Sequence, residues 1–390
     1  MTMHCSIKSH RKSSLAMGLA AAGVLLAACS SGHSGATTSG SSSSSSGSST
    51  STSSSIDGRG RQIVFFSQTH ATPFTAGLEA AVNAEAARLD YTVKIIETPD
   101  VDQTTEDGLV RQYVASGAKP AAFLYWPANA SASAASARML SQVAPVIQID
   151  NSVQPAESPY VVAYAGNNNV QVGANAGKLL TALRQSVLTS GKTLHSTAGN
   201  LLILNFPAGY QPGIDRTNGF KSATSAAPFN ILNEEFGNYY APQLAYQAAL
   251  QALPKHKNTV DFITVPTTSA ASGLAQALAQ TGLTPGKNVY IVAGNCDASN
   301  SVIRAGTVYG ASILSPQAEG RLGVDVVARY LATKKVVAGD TQYPLSVTPP
   351  AVTVTPPSKN NYIPLPTVTS AADLDNIDIW GSKISDICSQ

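Results

Sequence analysis

Charge is scarce in this chain. Only 12% of its 390 residues are charged and the formal net charge is +2, which excludes the strongly basic surface that nucleic-acid binding usually requires. Catalytic signatures are missing as well. There is no Gly-x-x-x-x-Gly-Lys-Ser/Thr phosphate loop, no Gly-x-Gly-x-x-Gly after a strand, no Gly-x-Ser-x-Gly elbow and no His-Glu-x-x-His. Of six histidines only His70, His195 and His256 lie beyond residue 60. They are too far apart in sequence to read as a metal site or a serine-type triad, and stand as loop histidines. The sequence thus gives no reason to expect an enzyme, a metal or a cofactor. What is present is a 43% hydrophobic composition, enough for packed cores, and a length that at about 150 residues per domain points to two or three domains.

The first 28 residues set themselves apart. Lys8, Arg11 and Lys12 form a positive segment, Leu15 to Leu26 is an apolar run, and Ala27-Ala28 supply the small residues of a processing site, the pattern of a secretory signal. The run is too short to cross about 30 Å of hydrocarbon as a helix. Leu26-Ala27-Ala28-Cys29 resembles the bacterial lipobox, which implies cleavage before Cys29 and lipidation of its thiol and amine, several acyl chains holding the protein to the cell membrane. The alternative is an ordinary signal peptide beside a chance cysteine. Removing three basic and no acidic residues takes the net charge from +2 to −1. Ser30 to Asp57 is almost entirely Ser, Gly and Thr, which bury no apolar surface to offset chain entropy, so 29–60 reads as a lipidated cysteine on a disordered tether.

The remainder alternates short apolar runs with longer amphipathic ones. Ile63–Ser67, Val93–Ile96, Ala121–Tyr125 and Val146–Ile149 read as strands, separated by helices opening at Pro73, at Asp102 and over Ala128–Val143. A second series follows Asn167, with strands at Asn200–Asn205, Asn230–Phe236, Asp261–Thr264 and Val289–Ala293. Alternation of this kind specifies an α/β fold of two similar lobes, each a parallel sheet covered by helices. The expected division is 61–165 for the N-terminal lobe, with part of 315–390 returning to it, 166–313 for the C-terminal lobe, and 314–390 for a hinge crossing and Pro-rich return segment.

The strand ends carry an ordered set of landmarks. Ser67-Gln68-Thr69-His70-Ala71-Thr72-Pro73-Phe74 follows the first strand, Trp126-Pro127 the third and Asp150-Asn151 the fourth; Gly166-Asn167-Asn168-Asn169 precedes Gly173 and Gly177. Arg216-Thr217-Asn218-Gly219-Phe220, Gly294-Asn295-Cys296-Asp297 and Ile303-Arg304-Ala305-Gly306 come later, before Pro316, Gly320 and Gly323. Over roughly Arg61 to Lys335 this series resembles the ribose-binding type of periplasmic sugar-binding proteins, the extracytoplasmic receptors of ABC importers. The resemblance implies a type I periplasmic-binding-protein fold, two lobes joined by a multi-strand hinge, and a monomer that delivers a small-molecule ligand to ABC permease subunits. A sensor of the same fold, presenting its ligand to a membrane kinase or chemoreceptor, is the alternative.

A sugar offers hydroxyls and apolar C–H faces, so its site needs charged hydrogen-bonding groups and aromatic planes. By that resemblance the ligand set is Asp150 from one lobe, Arg216 and Asp297 from the other, Phe74, Trp126 and Tyr239 as stacking surfaces, and Ser67, Thr72 and Thr267 as hydroxyl partners. The plainer alternatives are helix-cap or turn aspartates, a surface salt bridge for Arg216, core packing for Phe74 and Trp126, and turn hydroxyls. Trp126, Thr267 and Leu314 stand where the family has amide side chains. Three lost directional partners imply a ligand other than free ribose: a larger or more apolar carbohydrate, a polyol or a sugar-containing molecule. Cys296 and Cys388 remain as an even pair in an oxidising compartment and are able to form a disulfide, free buried thiols being the alternative.

Overall fold

The computed structural model describes residues 56–68, 72–99, 102–152, 159–297, 299–346 and 354–389. The expected signal peptide, Cys29 and nearly all of the tether lie outside the described residues, as does His70. Among the described residues no helix is long and apolar enough to cross a membrane.

The first lobe opens with β1 (Gln62–Gln68), α1 (Pro73–Arg88), β2 (Thr92–Thr98), α2 (Gln103–Ala115), β3 (Ala122–Tyr125), α3 (Ala134–Ser141), β4 (Val146–Ile149) and β5 (Ala163–Gly166). The chain then crosses to the second lobe for α4 (Asn169–Thr189), β6 (Asn200–Asn205), α5 (Gln211–Ala223), β7 (Asn230–Phe236), α6 (Pro242–His256), β8 (Phe262–Thr267), α7 (Thr268–Gln280), β9 (Tyr290–Cys296), α8 (Ser301–Arg304) and β10 (Ala311–Ile313). It returns to the first lobe for α9 (Pro316–Thr333), β11 (Val337–Gln342) and β12 (Ser358–Tyr362). A third crossing leads to β13 (Thr367–Val368), α10 (Ala371–Asn376), the small hairpin of β14 (Asp378–Ile379) and β15 (Ser382–Lys383), and α11 (Ile384–Ile387). The three crossings are tied together by backbone hydrogen bonds, Ile363 N–H to the Gly166 carbonyl at 3.0 Å and Ile313 N–H to the Pro366 carbonyl at 2.9 Å.

Sheet order is β11-β12-β5-β4-β3-β1-β2 in the first lobe and β13-β10-β9-β8-β6-β7 in the second. Every pairing in both is parallel except β13 on β10. The central strands β3 (Ala-Phe-Leu-Tyr) and β4 (Val-Ile-Gln-Ile) are buried throughout, the continuous run expected of parallel strands covered on both faces. Helix starts are written locally. Thr72, Asp102, Asn168, Thr267 and Ser315 each accept a backbone N–H from three residues on, and Pro73 and Pro316 occupy first-turn positions where no donor is lost.

One helix boundary differs from the sequence reading. The helix expected over Ala128–Val143 begins only at Ala134, because Asn129 Oδ1 accepts the N–H groups of Ser131 and Ala132 at 2.9 and 3.2 Å and turns the chain instead. After the second crossing α9 packs on α1 and β12 pairs with β5 in the first lobe, while the elements from β13 to α11 belong to the second. That last stretch is fastened by a disulfide between Cys296 and Cys388, whose Cα atoms are 5.3 Å apart across a sequence separation of 92. In the chain-entropy account a loop of this size contributes about 4–5 kcal/mol.

Small residues set how closely the covering helices approach. A methyl group at Gly173 of α4 would overlap the Arg216 carbonyl of α5, and one at Gly219 of α5 would overlap the Val170 carbonyl of α4. Gly273 against Pro242 and Gly320 against Leu78 repeat the arrangement at the α7–α6 and α9–α1 crossings. Backbone, not a flexible side chain, is what each added methyl would meet. Gly173→Ala is therefore expected to lower stability by ~1–3 kcal/mol through overpacking, read as a lowered thermal unfolding midpoint; an unchanged midpoint would show that α4 and α5 separate freely.

Candidate functional site

The parallel strands of each lobe end along one edge, and their loops face one another across a cleft of about 1110 Å³. In the first lobe the order places β1 between β2 and β3, so the chain leaves these neighbours toward opposite faces and opens a crevice at their carboxyl ends, where open α/β sheets bind ligands. Gln68 enters the cleft from the end of β1 and Phe74 from the first turn of α1, Trp126 and Asn129 from the loop after β3, and Asn151 from the turn after β4. Across from them stand Phe206, Tyr210 and Gln211 after β6, Tyr240 after β7, and Asp297 after β9; Leu314 and Pro316 line it at the second crossing.

The aromatic side chains pair edge to face. Phe74 and Trp126 have ring centroids 6.1 Å apart at 71°, and Phe206 and Tyr210 are 5.3 Å apart at 76°. Both expected stacking residues of the first lobe, Phe74 and Trp126, thus reach the cleft while also packing on each other. Tyr239 does not. It is 1% exposed and sits in the hydrophobic core, held inward by the turn in which its N–H bonds the Gly237 carbonyl at 2.9 Å. Its neighbour Tyr240, 49% exposed, lines the cleft instead.

Asp297 caps a helix and lines the cleft at once. Its Oδ1 accepts the Ser269 N–H at 2.8 Å and the Thr268 hydroxyl at 3.1 Å, so it caps α7, where the helix dipole favours an anion. It also lines the cleft. Burial pushes its carboxyl up to about 6, while the hydrogen bonds from Ser269, Thr268 and Thr267 pull the other way. Thr267 is spent on the cap of α7, accepting Ala270 N–H at 3.0 Å, and Ser67 is fully buried in β1; neither lines the cleft. Thr72 caps α1, accepting Thr75 N–H at 3.1 Å, and still lines the cleft.

Asp150 and Arg216 lie to one side. Asp150 has a left-handed backbone (φ 59°), and its carbonyl accepts the Tyr164 hydroxyl at 2.8 Å. It faces a smaller recess of about 120 Å³ shared with Tyr164, Asn167, Gln211 and Asp215, and Asn151 lines both spaces. Burial raises the Asp150 carboxyl to about 6 against the opposing charge of Arg216 and a hydrogen bond from Asn167. Arg216 is half-buried in the second turn of α5, not at a helix start. It donates to Asn169 Oδ1 and Asn295 Oδ1 at 3.0 Å each and to the Pro266 carbonyl at 3.2 Å, with its guanidinium 5.2 Å from the Phe206 ring centre. These neutral partners hold it between the start of α4 and the sheet of the second lobe.

Sequence reasoning missed Gln68, Asn151, Tyr210 and Tyr240. Asn151 and Tyr240 stood directly beside chosen residues. So did Gln68, beside Ser67, but strand-end polar residues are common without any ligand; Tyr210 gave no signal. Among the described residues no group of three His, Cys, Asp or Glu could hold a metal; His195 bonds Asp261 through Nδ1 at 2.8 Å and His256 lies 3.5 Å from Glu235.

The periplasmic binding protein domain matches residues 63–335 of this sequence. No curated protein matches it. Solved structures share its fold. An ABC transporter solute-binding protein from Agrobacterium vitis with bound D-fucose aligns with a TM-score of 0.65 at 18% identity, covering 83% of this chain and 99% of its own. A protein from Mycobacterium smegmatis in complex with β-D-fucofuranose gives 0.63 at 18%, over 81% and 94%. A periplasmic ribose ABC transporter protein from Conexibacter woesei DSM 14684 gives 0.62 at 17%, over 80% and 93%. With its two parallel-sheet lobes, three crossings and a cleft between the strand ends, the chain belongs to the periplasmic binding protein family, in its type I fold.

Proposed function

We propose that this protein is an extracytoplasmic substrate-binding lipoprotein that captures a carbohydrate-like small molecule between its lobes and delivers it to an ABC permease. The observation that carries this reading is the composition of the cleft wall. Aromatic faces stand beside a carboxylate, and Gln68, Trp126 and Asn151 each keep a buried polar atom without a protein partner: Oε1, Nε1 and Oδ1 respectively. Buried polar atoms are normally satisfied, and a hydroxylated ligand enclosed by lobe closure would supply the missing partners. Binding energy that differs between open and closed forms is what drives such closure. Neighbours of the same fold hold D-fucose and β-D-fucofuranose. The family works outside the cytoplasm, and the lipobox-like Leu26 to Cys29 supplies the anchor. Asp150 joins the ligand set from the adjoining recess, and Arg216 from beside the cleft-lining Phe206, when the lobes close.

The ligand is not free ribose. Trp126 and Leu314 line the cleft at positions where the resemblance to sugar-binding proteins implies amides, and Thr267 is used as a cap.

Three outcomes are expected. Native mass spectrometry of purified protein, followed by a thermal-shift panel, finds a neutral carbohydrate or sugar-containing ligand; a panel in which D-ribose stabilises most would refute the substrate choice. Mass spectrometry of the mature N-terminus finds Cys29 diacylglycerylated, and an unmodified cysteine there removes the anchor. Affinity for the ligand falls between pH 7.5 and 5. The sign follows from Asp297 and Asp150, whose carboxyls are raised to about 6: without ligand they favour the protonated form, and their contribution to stability is lost as pH rises from about 4 through 6. A ligand donating hydroxyls prefers the anions, so protonation weakens binding. Asp297→Asn is expected to bind weakly with a flatter pH profile, and a wild-type affinity indifferent to pH would exclude the carboxylates as acceptors.

A further inference from the structure

Behind the first-lobe wall of the cleft lies a carboxylate with no counter-charge among its hydrogen-bond partners. Glu106, in the first turns of α2, is fully buried. Its Oε2 accepts the Ala128 N–H at 2.7 Å and Gln68 Nε2 at 3.3 Å; its Oε1 accepts the Tyr125 hydroxyl and Gln103 Nε2, the latter at 3.0 Å. All four donors are neutral. Desolvation raises the Glu106 carboxyl and these hydrogen bonds oppose that rise. Keeping such a group buried without a cation is costly, and what the cost secures is visible in its partners. Gln68 and Ala128 line the cleft. Gln103 carries the link one residue further, accepting the N–H of cleft-lining Asn129 at 2.9 Å.

The Gln68 amide is fully determined by this network. Its Nε2 donates to Glu106 and, at 2.6 Å, to the Trp126 carbonyl, so the nitrogen cannot be exchanged with the oxygen, and Oε1 is left unpartnered. Asn151 follows the same logic: Nδ2 donates to the Pro127 carbonyl at 3.3 Å and Oδ1 remains without a partner.

We propose that Glu106 is the positioning residue of this half of the binding site, fixing Gln68 and the 126–129 loop so that the wall offers carbonyl acceptors to ligand hydroxyls. Its action on ligand rests on the substrate-binding reading above; its action on the wall does not. A carboxylate that collects one backbone and three side-chain donors from β1, β3 and α2 joins the two strand ends that flank the crevice. Neutralising it leaves Gln68 free to turn and the loop amides without their acceptor.

The experiment compares wild type, Glu106→Gln, Gln68→Leu and the double variant. Without ligand, hydrogen exchange of Glu106→Gln is expected to show faster exchange at the Ala128 and Asn129 amides with β1, β3 and β4 protected as in wild type. Unchanged exchange at those amides, or loss of protection throughout the lobe, overturns the positioning role. With ligand, the probe is whichever of D-ribose, D-arabinose, D-allose and D-fucose gives wild type the largest thermal shift. Glu106→Gln is expected to weaken its binding about tenfold, the size of a lost charge-assisted hydrogen bond, and most of that loss should vanish in the Gln68→Leu background. A loss undiminished in that background, or none, overturns the route through Gln68. If no probe binds wild type, these four monosaccharides are excluded as ligands, and the exchange experiment alone decides the role of Glu106.

Discussion

Parallel pairing is the constraint from which the rest of this molecule follows. A parallel strand must be followed by a crossover, so every strand of a lobe ends at the same edge and every helix is pushed to a face. The first-lobe sheet is wholly parallel and the second departs only at β13. Loops from β1, β3 and β4 therefore converge on one line, those from β6, β7 and β9 on another, and the three crossings set the two lines face to face. The cleft is where two such edges meet. It needs no dedicated domain.

Helix spacing enters through the same constraint. With both faces of each sheet covered, neighbouring helices lie side by side over it, and glycines at Gly173, Gly219, Gly273 and Gly320 let backbone meet backbone. In the α4–α5 pair the closely approached atom is the carbonyl of Arg216 itself. The packing of the outer layer and the placement of a guanidinium beside the hinge are thus one contact, and a residue far from any ligand bears on where that charge sits.

How much of this could be read in the sequence depends on range. The strand and helix alternation, the helix starts at Pro73 and Asp102, and the two-lobe division rest on periodicity and neighbours within four residues, and they are legible. The helix expected from Ala128 was not cut short by composition, which is alanine-rich, but by one Asn129 side chain competing for the backbone. The choice between Tyr239 and Tyr240 turned on a single reverse turn at Gly237. Asp150 and Asp297 look alike in sequence, each following a strand, yet one caps a helix in the cleft and the other faces a side recess. Glu106 was invisible, because its partners come from positions as far as 38 residues away, and no local pattern distinguishes it from an ordinary acidic residue near a helix start.

The second lobe is closed by covalent chemistry at its last turn. Cys388 is bonded to the strand end that carries Asp297, and Ile387, its immediate neighbour, lines the cleft. The end of the described chain is part of the doorway. An affinity tag, a fluorescent protein or a surface-display partner joined after it would emerge within a few residues of the ligand's path, so fusions and immobilisation intended to leave recognition undisturbed belong at the other end of the folded region, ahead of β1.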